Sequence, residues 1–172
     1  MIEYLTGDAT DPQVPGPKII AHVCNDIGGW GRGFVLSVTQ RYPAAEWAYR
    51  GWYQQTIDPV REDPPFKLGE VQLVKVATDV YVANMIGQHG IMVKDGVPPI
   101  RYDAVEKCLQ TLRICAKVLN ASVHMPRIGC GLAGGKWEAI EPIIERSLAL
   151  DDVKTYVYDF NTGDARTIPW QR

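Results

Sequence analysis

Apolar positions along this chain gather in two patterns. Short, nearly unbroken or alternating runs of strand length occur at Ile2–Leu5, Lys18–Val23, Glu70–Val76, Val80–Met85, Ser122–Met125 and Thr155–Tyr158. Within the second, Ile19, Ile20, Ala21 and Val23 are almost continuous, the pattern of a strand covered on both faces. In Ile100–Leu119, Val105, Leu109, Leu112, Cys115, Ala116 and Leu119 recur at three and four, the period of one helix face. Helices are also predicted over Phe34–Arg41, Ala44–Gln55 and Lys136–Leu148. Tyr42-Pro43 ends the first of these, and Pro43 suits the opening turn of the next. Thr6-Gly7-Asp8 and Ala77-Thr78-Asp79 read as turns, Asp58–Lys67 and Gly87–Pro99 as loops. Strands alternating with helices predict an α/β layered fold.

Composition narrows this only a little. A length of 172 residues fits one domain over 1–172, and 46% hydrophobic with 22% charged residues is ordinary for a globular protein. A net charge of −2 gives no basic footprint for duplex nucleic acid. Cys24, Cys108, Cys115 and Cys130 have no metal-ligand spacing and read as reduced thiols; His22, His89 and His124 are scattered. Met1 runs straight into a strand without a signal-peptide pattern, and no apolar run has membrane-spanning length. The expectation is a cytoplasmic monomer that needs no metal or cofactor.

Chemistry is concentrated in two glycine-rich loops, Asn25-Asp26-Ile27-Gly28-Gly29-Trp30-Gly31-Arg32-Gly33 and Pro126–Gly135. Each follows a predicted strand and precedes a predicted helix. Glycine lets backbone approach a ligand closely, and free N–H groups at a helix start attract phosphate. Two such loops fit a diphosphate held from two sides. Neither has the Rossmann or P-loop signature, so the residues alone stop at a phosphate-containing ligand.

Over nearly its whole length the chain resembles a macrodomain. The resemblance is carried by Leu5-Thr6-Gly7-Asp8-Ala9-Thr10, Ile19-Ile20-Ala21-His22-Val23-Cys24-Asn25, Trp30-Gly31-Arg32-Gly33, Met125-Pro126-Arg127-Ile128-Gly129-Cys130-Gly131-Leu132 and Val157-Tyr158-Asp159. It implies a three-layer α/β/α sandwich around a mixed, roughly six-stranded sheet, with the two loops facing each other across a cleft. It also implies ADP-ribose and mono-ADP-ribosylated proteins as partners. By resemblance, Asp8 hydrogen-bonds the adenine amino group with Ala9 beside it as a ligand-binding residue, Tyr158 (with Phe160 in reserve) packs on adenine, and Asn25 faces the distal ribose. Trp30, Gly31, Arg32 and Gly33 wrap that ribose and its phosphate, while Gly129, Cys130, Gly131, Leu132 and Ala133 grip the diphosphate.

The second loop is similar to that of macrodomains which cleave ADP-ribose from glutamate side chains. Those use a lysine after the strand matching Val80–Met85 and an aspartate after the Gly-Cys-Gly-Leu. Here the first region reads Asn84-Met85-Ile86-Gly87-Gln88-His89-Gly90, and Ala133 follows Leu132. Without that pair the resemblance implies hydrolysis by a positioned water, with Asn25, Gln88 and Asn84 as the polar candidates and His89 or Asp26 as lesser proton acceptors. His22 matches a catalytic histidine of macrodomains that dephosphorylate ADP-ribose 1″-phosphate, so that activity is an alternative; a non-catalytic ADP-ribose reader is another.

Plainer roles stand beside these. Asn25 can cap its own turn, Asp8 can close an Asx-turn, and His22 can be a hydrogen-bonded core histidine. Trp30 can shield its loop instead of stacking on ligand. Cys24 and Cys130 read as small packing residues, and Trp47, Tyr49, Trp52 and Tyr53 as core.

Overall fold

The computed structural model describes residues 1–55, 61–148 and 151–160. Six strands form one sheet: β1 Ile2–Thr6, β2 Lys18–Asn25, β3 Val71–Ala77, β4 Val80–Gln88, β5 Ser122–Met125 and β6 Thr155–Asp159. Four helices connect them: α1 Phe34–Arg41, α2 Pro43–Tyr53, α3 Tyr102–Leu119 and α4 Trp137–Leu148. The spatial order is β1-β6-β5-β2-β4-β3, parallel throughout except for β3, which pairs antiparallel with β4. Asp79, at φ 57°, makes the tight β3–β4 turn. The mixed six-stranded α/β fold is therefore as anticipated.

Alternation along each strand divides the core into two layers. Ile19, Ala21, Met85, Val123, Met125 and Val157 pack under α3 and α4 with Leu109, Leu112, Ile140 and Ile144. Ile20, Cys24, Val82 and Ile86 face the other way, against Val38, Tyr49 and Trp52 of α1 and α2. α3 stops at Asn120, whose left-handed conformation (φ 50°, ψ 44°) ends the helix.

Element boundaries differ little from the sequence pattern, and the differences matter at the site. β4 runs three residues beyond Met85, so Gln88 is a strand residue instead of a loop residue. α3 starts at Tyr102, because Ile100 instead bridges to Gln88. In α2 only Tyr49 and Trp52 are core; Trp47 is 72% and Tyr53 47% exposed. Of the loop expected at Asp58–Lys67, positions 58–60 lie outside the described residues. Among the described residues, no helix is long and apolar enough to cross a membrane.

A cleft between two glycine loops

A cleft of about 620 Å³ opens where the parallel strands end. Its position follows from topology: ligands in open α/β sheets bind beyond the carboxyl ends of the strands. His22 and Val23 of β2 form part of its floor, Gln88 of β4 lies to one side, and Tyr158, Asp159 and Phe160 lie to the other. Arg32 to Val35 make one wall, and Pro126 to Ala133 the wall opposite. The walls nearly touch at the mouth, where Leu132 Cδ1 lies 3.6 Å from the position of a Cβ on Gly33.

The first wall begins a helix. Gly33, at φ 86°, is the N-cap of α1 and supplies no side-chain cap. The first amides of the helix thus lack a side-chain acceptor at the cleft wall, where the helix dipole favours negative charge. Arg32 is exposed beside them.

Steric demand separates the glycines of the second wall. Gly129 has φ +71°, and an added Cβ would lie 2.6 Å from Ile100 Cδ1; a Cβ on Gly135 would lie 2.5 Å from the Gly129 carbonyl oxygen. Packing accounts for both. Gly31 and Gly131 differ: no left-handed φ applies, and nothing lies within 4 Å of an added Cβ. The fold does not require glycine at either position; of the two, Gly131 lines the cleft, where a ligand pressed against the backbone would require it.

The loop residues expected at the ligand divide in two. His22, Arg32, Gly33, Gln88, Tyr158 and the run from Gly129 to Ala133 line the cleft. Asp8, Ala9, Asn25, Trp30, Gly31 and Asn84 do not. Asn25 is engaged by its own loop: Oδ1 accepts from the backbone N–H of Ile27 (3.1 Å) and Gly29 (2.8 Å) and from Tyr49 Oη (3.0 Å), while Nδ2 donates to Gly29 O (2.8 Å). Trp30 is only 3% exposed, its indole N–H donating to Thr39 Oγ1 at 2.6 Å and its ring set edge-on to His22. Instead of a ligand-facing ring it is a core residue beneath the loop. Asn84 is fully buried and bonded to His22, Gln72 and the Ala45 carbonyl, so it reaches the cleft only through His22.

Asp8 closes an Asx-turn, its Oδ1 accepting from Thr10 N (2.8 Å) and Thr10 Oγ1 (2.7 Å). It remains close to the Tyr158 end, since Gly7 N–H donates to Asp159 O and Ala9 is buried beside it. Asp26 and His89 pair at 2.7 Å after the ends of β2 and β4, and Asp26 Oδ1 accepts from Gly90 N–H at 2.8 Å. Burial pushes the Cys130 thiol up to about 11 and Cys24 well above its ordinary value, consistent with inert packing roles.

Three features escaped the sequence reading. His124 Nδ1 lies 2.8 Å from Tyr158 Oη and fixes that ring, with Ser122 Oγ 2.8 Å from Nε2. Strand alternation, which puts His124, Tyr156 and Tyr158 on one face, was the available signal. Arg127 forks onto Asp159 at 2.6 and 2.9 Å and lies over the Tyr4 and Trp137 rings, joining the second wall to the end of β6. Phe34 and Val35 add an apolar lining that helix prediction alone could not orient.

No protein-family model matches the chain. Individual proteins do. A macrodomain protein from Streptomyces coelicolor has a similar structure, with a TM-score of 0.79 and 48% identity over 94% of this chain and all (100%) of that one. The human ADP-ribose glycohydrolase OARD1 is 36% identical over 91% of this chain and 90% of its own length. An ADP-ribose 1″-phosphate phosphatase from Lodderomyces elongisporus is 24% identical, covering 92% and 99%. Chromodomain-helicase-DNA-binding protein 1-like from Mus musculus is 31% identical over 96% of this chain, which spans only 18% of that relative's length; for the Danio rerio counterpart the share is 16%. With the sheet order, the paired glycine loops and relatives matched over nearly their full length, this chain belongs to the macrodomain family.

Proposed function

We propose that this chain is a single macrodomain that binds ADP-ribose in the cleft and hydrolyses mono-ADP-ribose from acidic protein side chains. The observation that carries the reading is the pair of walls. An uncapped helix start faces a glycine loop across about 620 Å³, and Gly131 there is a glycine that packing does not require. The diphosphate would lie between these walls, with adenine toward Tyr158 and Asp8 and the distal ribose toward Gln88. The human relative's name as an ADP-ribose glycohydrolase supports the reaction class.

At the ribose end, Gln88 Nε2 donates to the Gly90 carbonyl at 3.0 Å. That bond leaves Gln88 Oε1 to accept from a water molecule. Water attacks C1″ as the bond from C1″ to the side-chain ester oxygen breaks; the carboxylate departs with the bonding pair, and the water's proton passes to solvent. The oxocarbenium-like transition state needs no strong acid because a carboxylate is a good leaving group. The protein's contribution is orientation and electrostatic support of the diphosphate. Asn25 serves this by shaping the first loop.

One observation favours a second reading. His22 lies on the cleft floor, and a phosphatase is among the relatives, so ADP-ribose 1″-phosphate is the competing substrate. The deciding experiment offers glutamate-linked ADP-ribosyl protein, serine-linked protein and ADP-ribose 1″-phosphate in parallel. Release of ADP-ribose from the glutamate ester is expected. Release of inorganic phosphate alone would replace the hydrolase reading with the phosphatase, and binding without turnover of any substrate would leave a reader.

A further inference from the structure

A chain of buried amides runs beneath the cleft and ends on His22. It begins at Asp63, whose Oδ2 accepts from Gln72 Nε2 at 2.8 Å; the same nitrogen donates to the Ala48 carbonyl at 2.8 Å. Gln72 Oε1 accepts from Asn84 Nδ2 at 3.0 Å, and that nitrogen also donates to the Ala45 carbonyl at 3.2 Å. Asn84 Oδ1 then faces His22 Nε2 at 2.6 Å.

The polarity of this chain is forced from its far end. Carboxylates and carbonyls only accept, so Gln72 must turn its nitrogen to Asp63 and Ala48, and Asn84 must turn its nitrogen to Ala45 and Gln72. Asn84 has only its oxygen left for His22. The imidazole nitrogen that meets it must therefore carry a hydrogen. Gln72, Asn84 and His22 are 1%, 0% and 2% exposed, which leaves little water to exchange these roles.

We infer that the Gln72–Asn84 relay holds His22 as its Nε2–H tautomer, so that a bare Nδ1 serves the cleft as a fixed acceptor for a ligand hydroxyl or a bound water. Asn84 and Gln72 are then positioning residues, which gives Asn84 a place in the chemistry without contact with substrate. Only the identity of the ligand rests on the proposed function. Packed on the ring are the Cys24 thiol, 3.8 Å from Nδ1 and 3.7 Å from Nε2, and the rings of Trp30 and Phe34 at 5.2 and 6.0 Å. In the Nε2–H tautomer only Nδ1 has a lone pair to accept from the thiol, a weak donor that a hydroxyl outcompetes. Burial keeps the imidazole neutral, lowering its pKa from 6.5 to about 4 against the raising effect of the Asn84 bond.

The test is a histidine-nitrogen NMR spectrum of the isotope-labelled full chain, free and with ADP-ribose. The expected His22 pattern is a protonated Nε2 and a bare Nδ1, unchanged between about pH 8 and pH 5.5, with the Nδ1 signal moving on saturation. Protonation on Nδ1, or on both nitrogens at neutral pH, overturns the assignment. If ADP-ribose binds while Nδ1 stays put, the acceptor role falls. If ADP-ribose does not bind, the proposed function fails with that role, while the free-protein spectrum still decides the tautomer. In Asn84→Asp the carboxylate favours a second proton on His22. ADP-ribose affinity should then vary about tenfold between pH 8 and 5.5, where the wild type is flat. A flat response with a neutral His22 in that variant overturns the relay, and the wild-type spectrum decides the tautomer whether or not the variant folds.

Discussion

Gly131 and Gly135 are four residues apart, yet replacing them should have opposite consequences. A methyl on Gly135 meets the Gly129 carbonyl oxygen, so Gly135→Ala must shift backbone and should cost about 2–3 kcal/mol of unfolding free energy. Gly131→Ala meets nothing and should stay within about 0.5 kcal/mol of wild type. Its ADP-ribose affinity should nevertheless fall at least about tenfold, because the methyl occupies the space a diphosphate needs. Urea unfolding with calorimetric titration of both variants checks this, and unimpaired binding by Gly131→Ala would remove the second loop from the site. Asn25→Ala should act through the fold: it orphans the backbone N–H groups of Ile27 and Gly29 and the Gly29 carbonyl, costing about 2–3 kcal/mol and weakening ADP-ribose binding together with stability. Residue type was legible in the sequence, but what each side chain meets was not. Asn25, Trp30 and Asn84 have the expected chemistry and spend it on neighbours 2 to 62 positions away.

Helix α1 and the loop before it make the charge prediction. The helix start offers free amides and Arg32 stands exposed beside it, so Arg32→Glu should lower ADP-ribose affinity about tenfold or more while moving stability by less than about 0.5 kcal/mol. The loss should shrink at high salt, because exposed charges are screened; an unchanged affinity would place the anion elsewhere. The strands and helices were readable because their apolar periods are clean, with β2 and α3 the clearest. The end of β4 was not. Gly87 broke the apolar run, yet backbone pairing continues to Gln88, which the ladder opposite Asn25 dictates and no side-chain pattern shows. That one shift moves Gln88 from a solvated loop to the edge of the cleft.

Topology joins the first and last strands, since β1 pairs parallel with β6 from Ile2 opposite Thr155 to Thr6 opposite Asp159, and so the Tyr158 end of the cleft depends on a pairing between segments far apart in sequence. Strand order of this kind is a tertiary outcome that local pattern does not encode. Burial in the same sheet also sets an acid limit on the whole fold. His22 and His124 are both lowered from 6.5 to about 4, chiefly by desolvation. The unfolded chain therefore binds two protons that the native state refuses, and stability should fall as pH drops from about 6.5 towards 4, by at most on the order of 3 kcal/mol per ring. Urea midpoints across that range test it, and His124→Gln should flatten the slope; a midpoint constant down to pH 4 would contradict the burial of both rings.

The most direct test of the account is a mass-spectrometric count of ADP-ribose released from a glutamate-linked ADP-ribosyl protein by a substoichiometric amount of this chain. Many turnovers per molecule are expected, inhibited by free ADP-ribose and reduced at least about tenfold by Gln88→Ala. Release no faster than spontaneous ester hydrolysis, from a chain that still binds ADP-ribose, would contradict it.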